Sequence, residues 1–228
     1  MAFNSVRRAE DLVPIRHVLV STYDKAGLAE FVRGIVEASP GVRFYSTGGT
    51  FDLLASALGR GAHLVKVSDY TGQPEMKGGL VKTLDWKIYL GLLAEAGDSA
   101  HEADLERHGA VAFDMVVANL YPFAEAASDP SSSPEDLRQR IDIGGPSMIR
   151  AAAKNYLRVA SLSSPEQYGG VLRELRERGG RLGLETRLRL AARAFGLVSG
   201  YDATIAARLG GLDPERVARC YSIITDAE

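Results

Sequence analysis

Short apolar runs alternate with amphipathic stretches along the first half of the chain. The run HVLVS at 17–21 is followed by the polar turn TYDKAG and by residues 28–38. Apolar side chains recur in that second stretch at the spacing of one helix face: Leu28, Phe31, Val32, Ile35 and Val36. A short apolar run followed by this periodicity predicts a buried strand, a turn and a helix.

The same unit recurs further along the chain. Residues 42–46 form a second apolar run, and after the turn TGGT the stretch 51–58 again has helical spacing. Further candidate strands lie at 63–67 and 113–120. Because strands that alternate with helices need crossover connections, we expect an α/β fold with three layers, a mainly parallel sheet with helices on both faces.

The last third of the chain is predicted to be mostly helical. Residues 157–163 suggest one more strand, and the stretches after it are amphipathic with an arginine-rich face, which is expected to be solvated. Upstream, Ser133 precedes Pro134 and two acidic residues, the pattern of a capped helix start. No linker divides the chain, so residues 1–228 are predicted to form one domain with its core at about 15–208.

Composition excludes several classes of function. The 228 residues carry 27 Lys+Arg against 29 Asp+Glu, so no field of one sign favours nucleic acid polymers or an anionic membrane. One cysteine, Cys220, cannot form an internal disulfide, and no membrane-spanning run or secretory signal is present, so a cytoplasmic location is expected. No metal is expected, because the histidines are not spaced in the sequence as metal ligands are. They are His17, His63, His101 and His108.

The segment STGGT at 46–50 has the composition of a phosphate cradle. Two glycines between hydroxyl residues, after a strand and before a helix, let backbone N–H groups approach an anion, and Ser46, Thr47 and Thr50 add hydroxyls. The preceding unit ends its strand with Ser21 and Lys25 in the equivalent place. An ordinary glycine-rich turn is the alternative for either segment alone.

Other polar residues are predicted at the same edge. Lys82 and Thr83 lie in a short apolar context, where a lysine could neutralise a phosphate or polarise a carbonyl, although a surface lysine is the alternative. Asn119 and Tyr121 follow the most apolar strand, so they should emerge at its carboxyl end, where ligands of such sheets bind. A buried tyrosine with a satisfied hydroxyl is the alternative for Tyr121.

The stretch RIDIGGPSMIRAAAKN at 140–155 combines an acid, a glycine pair and a closing lysine. Asp142 sits just outside a predicted helix start, where capping is its structural role, and Pro146 is predicted at the first helical position. Twelve residues separate Asp142 from Lys154, so a continuous helix would hold their backbones roughly 15 Å or more apart. The side chains of Asp142 and Lys154 can meet only if the turn folds back and the lysine side chain extends toward Asp142.

Six ordered motifs resemble the inosine monophosphate (IMP) cyclohydrolase domain of the bifunctional purine-biosynthesis proteins, from about His17 to Arg208. The motifs are STYDKAGLAEF, YSTGGT, TGQPEMKGGLVKTL, ANLYPF, IDIGGPSMIRAAAKN and GYDATIA. The formyltransferase half of those proteins is absent from this chain. The resemblance implies a stand-alone cyclohydrolase with a methylglyoxal-synthase-like fold, which closes the purine ring of a 5-formamidoimidazole-4-carboxamide ribonucleotide. It also implies no cofactor, a homodimer, and a separate formyltransferase that supplies the substrate.

The resemblance also implies roles for individual residues. Those that would hold the 5′-phosphate are Ser21, Lys25, Ser46, Thr47, Gly48, Gly49 and Thr50. Those that would surround the base are Lys82, Thr83, Asn119, Tyr121, Asp142, Gly144, Gly145 and Lys154. Asp142 is assigned to the carboxamide proton, and Lys82, Tyr121 and Lys154 to charge stabilisation and the loss of water.

The chain departs from the family pattern in one segment. Where the family reads DGRVKTLHPKIHGG, this chain reads GGLVKTLDWKIYLG. Leu80 replaces an arginine expected near the base, Asp85 and Trp86 replace His-Pro, and Tyr89 replaces a histidine. We expect Trp86 to fill volume in the core or in an interface.

Two other functions remain open at this point. A methylglyoxal-synthase-like lyase could use the same fold, but the intact AAAKN and NLYPF segments argue against it. A catalytically impaired nucleotide-binding or regulatory module is the second alternative, and Leu80 is the signal for it. The presence of Lys82, Tyr121, Asp142 and Lys154 together favours an enzyme.

Overall fold

The computed structural model describes residues 6–59, 61, 63–74 and 81–224. A five-stranded parallel sheet runs through its centre in the order β4–β3–β2–β5–β6, and β1 pairs with β7 in a separate antiparallel ribbon. The strands are β1 Val13–Pro14, β2 His17–Ser21, β3 Arg43–Ser46, β4 Leu64–Lys66, β5 Met115–Ala118, β6 Ala160–Leu162 and β7 Arg181–Leu182.

Helices cover both faces of the sheet, which confirms the predicted three-layer α/β fold. They are α1 Leu28–Ala38, α2 Gly48–Leu58, α3 Val67–Thr71, α4 Trp86–Leu93, α5 Ser99–Arg107, α6 Phe123–Ser128, α7 Pro134–Gln139, α8 Gly144–Lys154, α9 Tyr168–Glu177, α10 Leu184–Gly210 and α11 Pro214–Ala218. A 3-10 turn at Pro165–Gln167 leads into α9. Within the described residues, none of these helices has the length and apolar character needed to cross a membrane.

The side chains of each strand divide between two apolar layers. Val18 and Val20 in β2 point into the layer that contains α1 and α9, whereas Leu19 points into the layer that contains α4, α8 and α10. This division follows from the two-residue period of a strand. Each large apolar side chain that is fully buried in these layers contributes about 1.5–3 kcal/mol of burial free energy.

Local details differ from the sequence prediction where polar residues interrupt a run. The predicted strand 63–67 is only three residues long, and α3 begins directly after it at Val67. The predicted strand 113–120 is confined to Met115–Ala118, because Asp114 before it is a buried anchor. Its Oδ2 accepts hydrogen bonds from the backbone N–H groups of Arg16 and His17 at 2.9 and 3.0 Å, and its Oδ1 pairs with Arg158 at 2.7 Å.

The predicted helix start at Ser133 carries the cap that its sequence indicates. Ser133 accepts a hydrogen bond from the Asp136 N–H, and Asp136 accepts one from the Ser133 N–H, which completes a capping box. Pro146 is the third residue of α8 and not its first. It is tolerated there because the N–H groups of the first turn have no partner within the helix.

Arg187 in α10 is fully buried, contrary to the prediction that the arginine-rich face of this region is solvated. Its guanidinium donates hydrogen bonds to five backbone carbonyl groups, those of Glu10, Asp11, Tyr156, Leu157 and Leu182. Burial lowers the pKa of Arg187, and the nearby acidic groups oppose that shift. One side chain therefore fastens the amino-terminal segment, the loop before β6 and the strand β7 together.

We expect Arg187→Ala to lower the free energy of unfolding by about 3 kcal/mol or more, because several buried carbonyl groups lose their donor. Urea denaturation monitored by circular dichroism measures this. Arg193→Ala is the matched control, since Arg193 is exposed on the same helix, and it should change stability by less than about 0.5 kcal/mol. Equal effects of the two substitutions would contradict the anchoring role of Arg187.

Candidate functional site

The carboxyl ends of three neighbouring strands coincide at one edge of the sheet. In the parallel register, Val20 of β2 lies opposite Ser46 of β3, and Ser21 lies opposite Ala118 of β5. The segments that follow these strands are 22–27, 47–50 and 119–122. Consequently the predicted cradle, the Lys25 loop and the Asn119 segment emerge side by side, as expected.

The amino terminus of α2 forms the cradle. Gly48 is the first residue of the helix and has φ of 54°, a left-handed conformation that favours glycine. A Cβ atom on Gly48 would lie 3.3 Å from Lys82 Nζ, so the ammonium group sits directly over this turn. Thr47 does not cap the helix with its side chain. The N–H groups of the first turn and a lysine ammonium therefore face the same space, a combination suited to a phosphate.

Two of the predicted cradle hydroxyls bind the protein backbone. Ser46 is fully buried, and its Oγ donates to the Val20 carbonyl at 2.8 Å. Thr50 Oγ1 donates to the Thr22 carbonyl at 3.0 Å and accepts from the Thr22 N–H at 3.3 Å. Since each hydroxyl has one proton and donates it to a backbone carbonyl group, these two side chains hold the cradle in shape.

Asn119 has a similar structural role. Its Oδ1 accepts from the N–H groups of Tyr23 and Asp24 at 2.7 and 2.9 Å, and its Nδ2 donates to the Asp24 carbonyl at 2.8 Å. These bonds fix the loop that carries Lys25, whose Nζ donates to the Tyr23 carbonyl at 3.3 Å. These bonds shape the neighbouring loop, and the contact predicted between Asn119 and a base stays a prediction.

Asp142 lies at the start of α8, at the same edge. Its Oδ1 accepts from the Gly145 N–H at 3.0 Å, and a side chain on Gly145 would collide with the carboxylate, which explains the glycine. Burial raises the pKa of Asp142, while the N–H groups of Gly145 and Gly144 oppose the shift. A carboxylate in this setting is a stronger proton acceptor than an exposed one.

Two consecutive residues connect the cradle with the Asp142 turn. Lys82 reaches Gly48, and a Cβ atom on Gly144 would lie 3.3 Å from Thr83 Oγ1. The two halves of the predicted site are thus adjacent in space. Leu80, the departure that precedes them, lies outside the described residues.

Aromatic side chains border this edge. Tyr121 is 54% exposed, so the alternative of a buried tyrosine does not hold, and its ring lies 5.1 Å from that of Tyr23. Trp86 is 69% exposed at the first position of α4, so it does not fill the core, and the other expectation, an interface, stays a prediction. Together with Thr47 and Lys82 it lines a cavity of about 310 Å³.

Lys154 does not join the other predicted residues. It is the last residue of α8, the helix that begins at Gly144, and it is exposed. Ten residues of helical rise correspond to about 15 Å, more than a lysine side chain spans. The helix is continuous, so the fold-back that would bring Lys154 to Asp142 does not occur within one chain.

Sequence reasoning missed two tyrosines near Asp142. The Tyr201 hydroxyl accepts from the Asp142 N–H at 2.7 Å and lies 3.3 Å from the Arg140 carbonyl, which accepts its proton. Tyr201 belongs to the GYDATIA motif, which had no assigned role. Tyr89 lies on α4, and the Asp142 charge helps to raise the pKa of its hydroxyl. The replacement of a family histidine by Tyr89 was the sequence signal that pointed to this position.

A second polar cluster lies in the turn between α4 and α5. Glu95, Asp98 and His101 bring one potential ligand atom each within 4.8 Å of one another. The sequence shows no metal-ligand spacing here. Asp98 caps α5 by accepting from the N–H groups of Ala100 and His101, and His101 Nδ1 accepts from the Glu95 N–H. These contacts are those of a helix cap.

Two family models match this chain. The model described as the MGS-like domain covers residues 27–147, and the model described as the AICARFT/IMPCHase bienzyme covers residues 152–225. The chain is also similar to the bifunctional purine biosynthesis protein PurH of Rhodopirellula baltica, with 46% identity over 201 residues. That alignment covers 88% of this chain and 37% of the relative, so the chain spans just over a third of the relative's length.

A solved structure is similar over nearly the whole fold. The crystal structure of ForH superposes with a TM-score of 0.72 at 33% sequence identity, and the alignment covers 86% of this chain and 100% of that one. The strand ends and helix starts that form the candidate site lie largely within the 27–147 match. The protein therefore belongs to the MGS-like domain family, with a carboxyl-terminal part of the AICARFT/IMPCHase type.

Proposed function

We propose that this protein is an IMP cyclohydrolase, which closes the purine ring of the formylated carboxamide ribonucleotide and releases water. The observation that carries this proposal is the pair Lys82 and Thr83, consecutive residues that reach Gly48 in the cradle and Gly144 beside Asp142. A phosphate site and a buried proton acceptor are thereby held at the two ends of a space that a nucleotide can span. Similarity to PurH supports the assignment.

In the proposed reaction the carboxamide nitrogen attacks the formyl carbon of the same molecule. Asp142 takes one proton from that nitrogen, and the equivalent of this proton passes to the formyl oxygen, which becomes a hydroxyl group. Tyr121 gives the hydroxyl group a second proton as it leaves as water, and the formamide nitrogen loses its proton to Tyr121 as the C=N bond of the ring forms. Because both reacting groups are on one substrate, the protein supplies orientation, proton transfer and stabilisation of the developing oxyanion. We assign oxyanion stabilisation to Lys82 and the final proton delivery to Tyr121, and we leave Lys154 out because of its position.

The remaining parts of the proposal concern surroundings and partners. The chain would act in the cytoplasm as a homodimer, in the last step of de novo purine biosynthesis. A separate formyltransferase would supply its formylated substrate. Size-exclusion chromatography with light scattering tests the dimer.

Asp142→Asn should lower kcat for ring closure by about 100-fold or more while the affinity for IMP changes by less than about threefold, because the amide keeps the shape but cannot accept the proton. Spectrophotometric ring closure gives kcat, and calorimetric titration with IMP gives the affinity. Turnover by the parent protein is the required control. Tight binding of IMP without any turnover by the parent would instead support the regulatory module.

Gly48→Ala should weaken IMP binding by about tenfold or more, since the new methyl group strains a left-handed residue and displaces Lys82 Nζ. Gly59→Ala is the matched control. Gly59 ends the same helix with φ of 77°, and an added Cβ there has no neighbour within 4 Å. Both variants should lose about 1 kcal/mol of stability, but Gly59→Ala should keep parental affinity. Equal affinities in the two variants would contradict the cradle.

A further inference from the structure

Two tyrosine rings meet at the edge of the candidate site. Tyr23 follows strand β2 and Tyr121 follows strand β5, and their ring centroids lie 5.1 Å apart with an angle of 57° between the ring planes. A tilted pair at this distance is a favourable aromatic contact. Tyr23 is 50% exposed and Tyr121 is 54% exposed, so neither ring is held by the apolar layers of the fold. The contact between the two rings therefore needs a reason other than core packing.

The backbone that carries Tyr121 is restrained on its carboxyl-terminal side. Pro122 follows Tyr121 and disfavours helical conformations of its backbone. The Tyr121 carbonyl accepts a hydrogen bond at 2.8 Å from the N–H group of Phe123, whose side chain is buried. With the backbone restrained and the ring half exposed, the place of the Tyr121 hydroxyl depends on rotation about the bond between Cα and Cβ.

The loop that carries Tyr23 is attached to two other parts of the site. Thr50 in the cradle helix α2 donates a hydrogen bond from its Oγ1 to the Thr22 carbonyl at 3.0 Å. Asn119, two residues before Tyr121, accepts at its Oδ1 from the N–H groups of Tyr23 and Asp24 at 2.7 and 2.9 Å. All of these bonds use backbone atoms of the loop. The Tyr23 ring is therefore carried on a backbone that is bonded both to the cradle and to the segment that leads to Tyr121.

We propose that Tyr23 is a positioning residue for Tyr121: its ring limits rotation of the Tyr121 side chain and thereby sets the place of the Tyr121 hydroxyl relative to the cradle. This inference rests on the proposed function, in which Tyr121 exchanges protons with the substrate. Proton transfer needs the hydroxyl within hydrogen-bond reach of the reacting group. A Tyr121 ring without its neighbour would divide its time among several rotamers, and a smaller fraction of the enzyme would be ready to react.

Tyr23→Ala tests this role, since it removes the ring and keeps the backbone N–H group that Asn119 binds. We expect kcat for ring closure to fall by about fivefold, the effect of one lost aromatic contact, while KM changes by less than about twofold. Tyr23→Phe keeps the ring and should return kcat to nearly the parental value. Tyr221→Ala is the control, because Tyr221 is 40% exposed and follows α11, and it should leave kcat unchanged. An equal loss of kcat in Tyr23→Phe and Tyr23→Ala would assign the effect to the hydroxyl group and overturn the proposal.

NMR of tyrosine-labelled protein provides a readout that does not need turnover. Scalar couplings across the bond between Cα and Cβ of Tyr121, assigned with Tyr121→Phe, report its rotamers. The parent and Tyr23→Phe should show one dominant rotamer, and Tyr23→Ala an average of several. One dominant rotamer in Tyr23→Ala, or an averaged rotamer with unchanged kcat, overturns the proposal. If the rotamers average in Tyr23→Ala but the parent makes no IMP, the link between Tyr23 and Tyr121 stands and the proposed function fails.

Discussion

The parallel register of three central strands is the constraint on which the rest of the structure depends. β2 is paired on one side with β3 and on the other with β5, and all three end within one residue of a common line. The connections between parallel strands return the chain to the end of the sheet where strands begin. Three separate segments therefore leave the carboxyl ends of the strands in the same direction. Residues far apart in sequence, such as Lys25 and Asn119, become neighbours without any long-range loop.

The polar residues at this edge divide into those that shape the site and those that face it. Ser46, Thr50 and Asn119 satisfy backbone groups of adjacent segments. Lys82 and Asp142 border the space between the cradle and the Asp142 turn. A hydroxyl or amide that fixes a loop also fixes the N–H groups of that loop, so these side chains make the edge rigid. The edge therefore has a defined form that its own side chains maintain.

The sequence was sufficient to predict the layers, the strand ends and the capped helix at Ser133, because period and cap chemistry are local properties. The sequence was insufficient to predict which of several similar residues on a helix becomes buried. Arg187 lies among exposed arginines of α10, and only the packing of the amino-terminal segment makes it the buried one. The motif predicted Lys154 at the site, but α8 is continuous and Lys154 lies at its opposite end from Asp142. Tyr89 was visible in the sequence as a departure from the family pattern, but its position against the apolar layer that contains α8 was not.

The ribbon formed by β1 and β7 also bears on how the chain folds as it is made. Val13 pairs with Leu182, and Arg187 secures the carbonyl groups of Glu10 and Asp11 from the far end of the sequence. On the ribosome, these first residues emerge long before the helix that anchors them. The amino-terminal tail therefore stays undocked until translation has passed α10, and its closure is a late event in the maturation of the nascent protein.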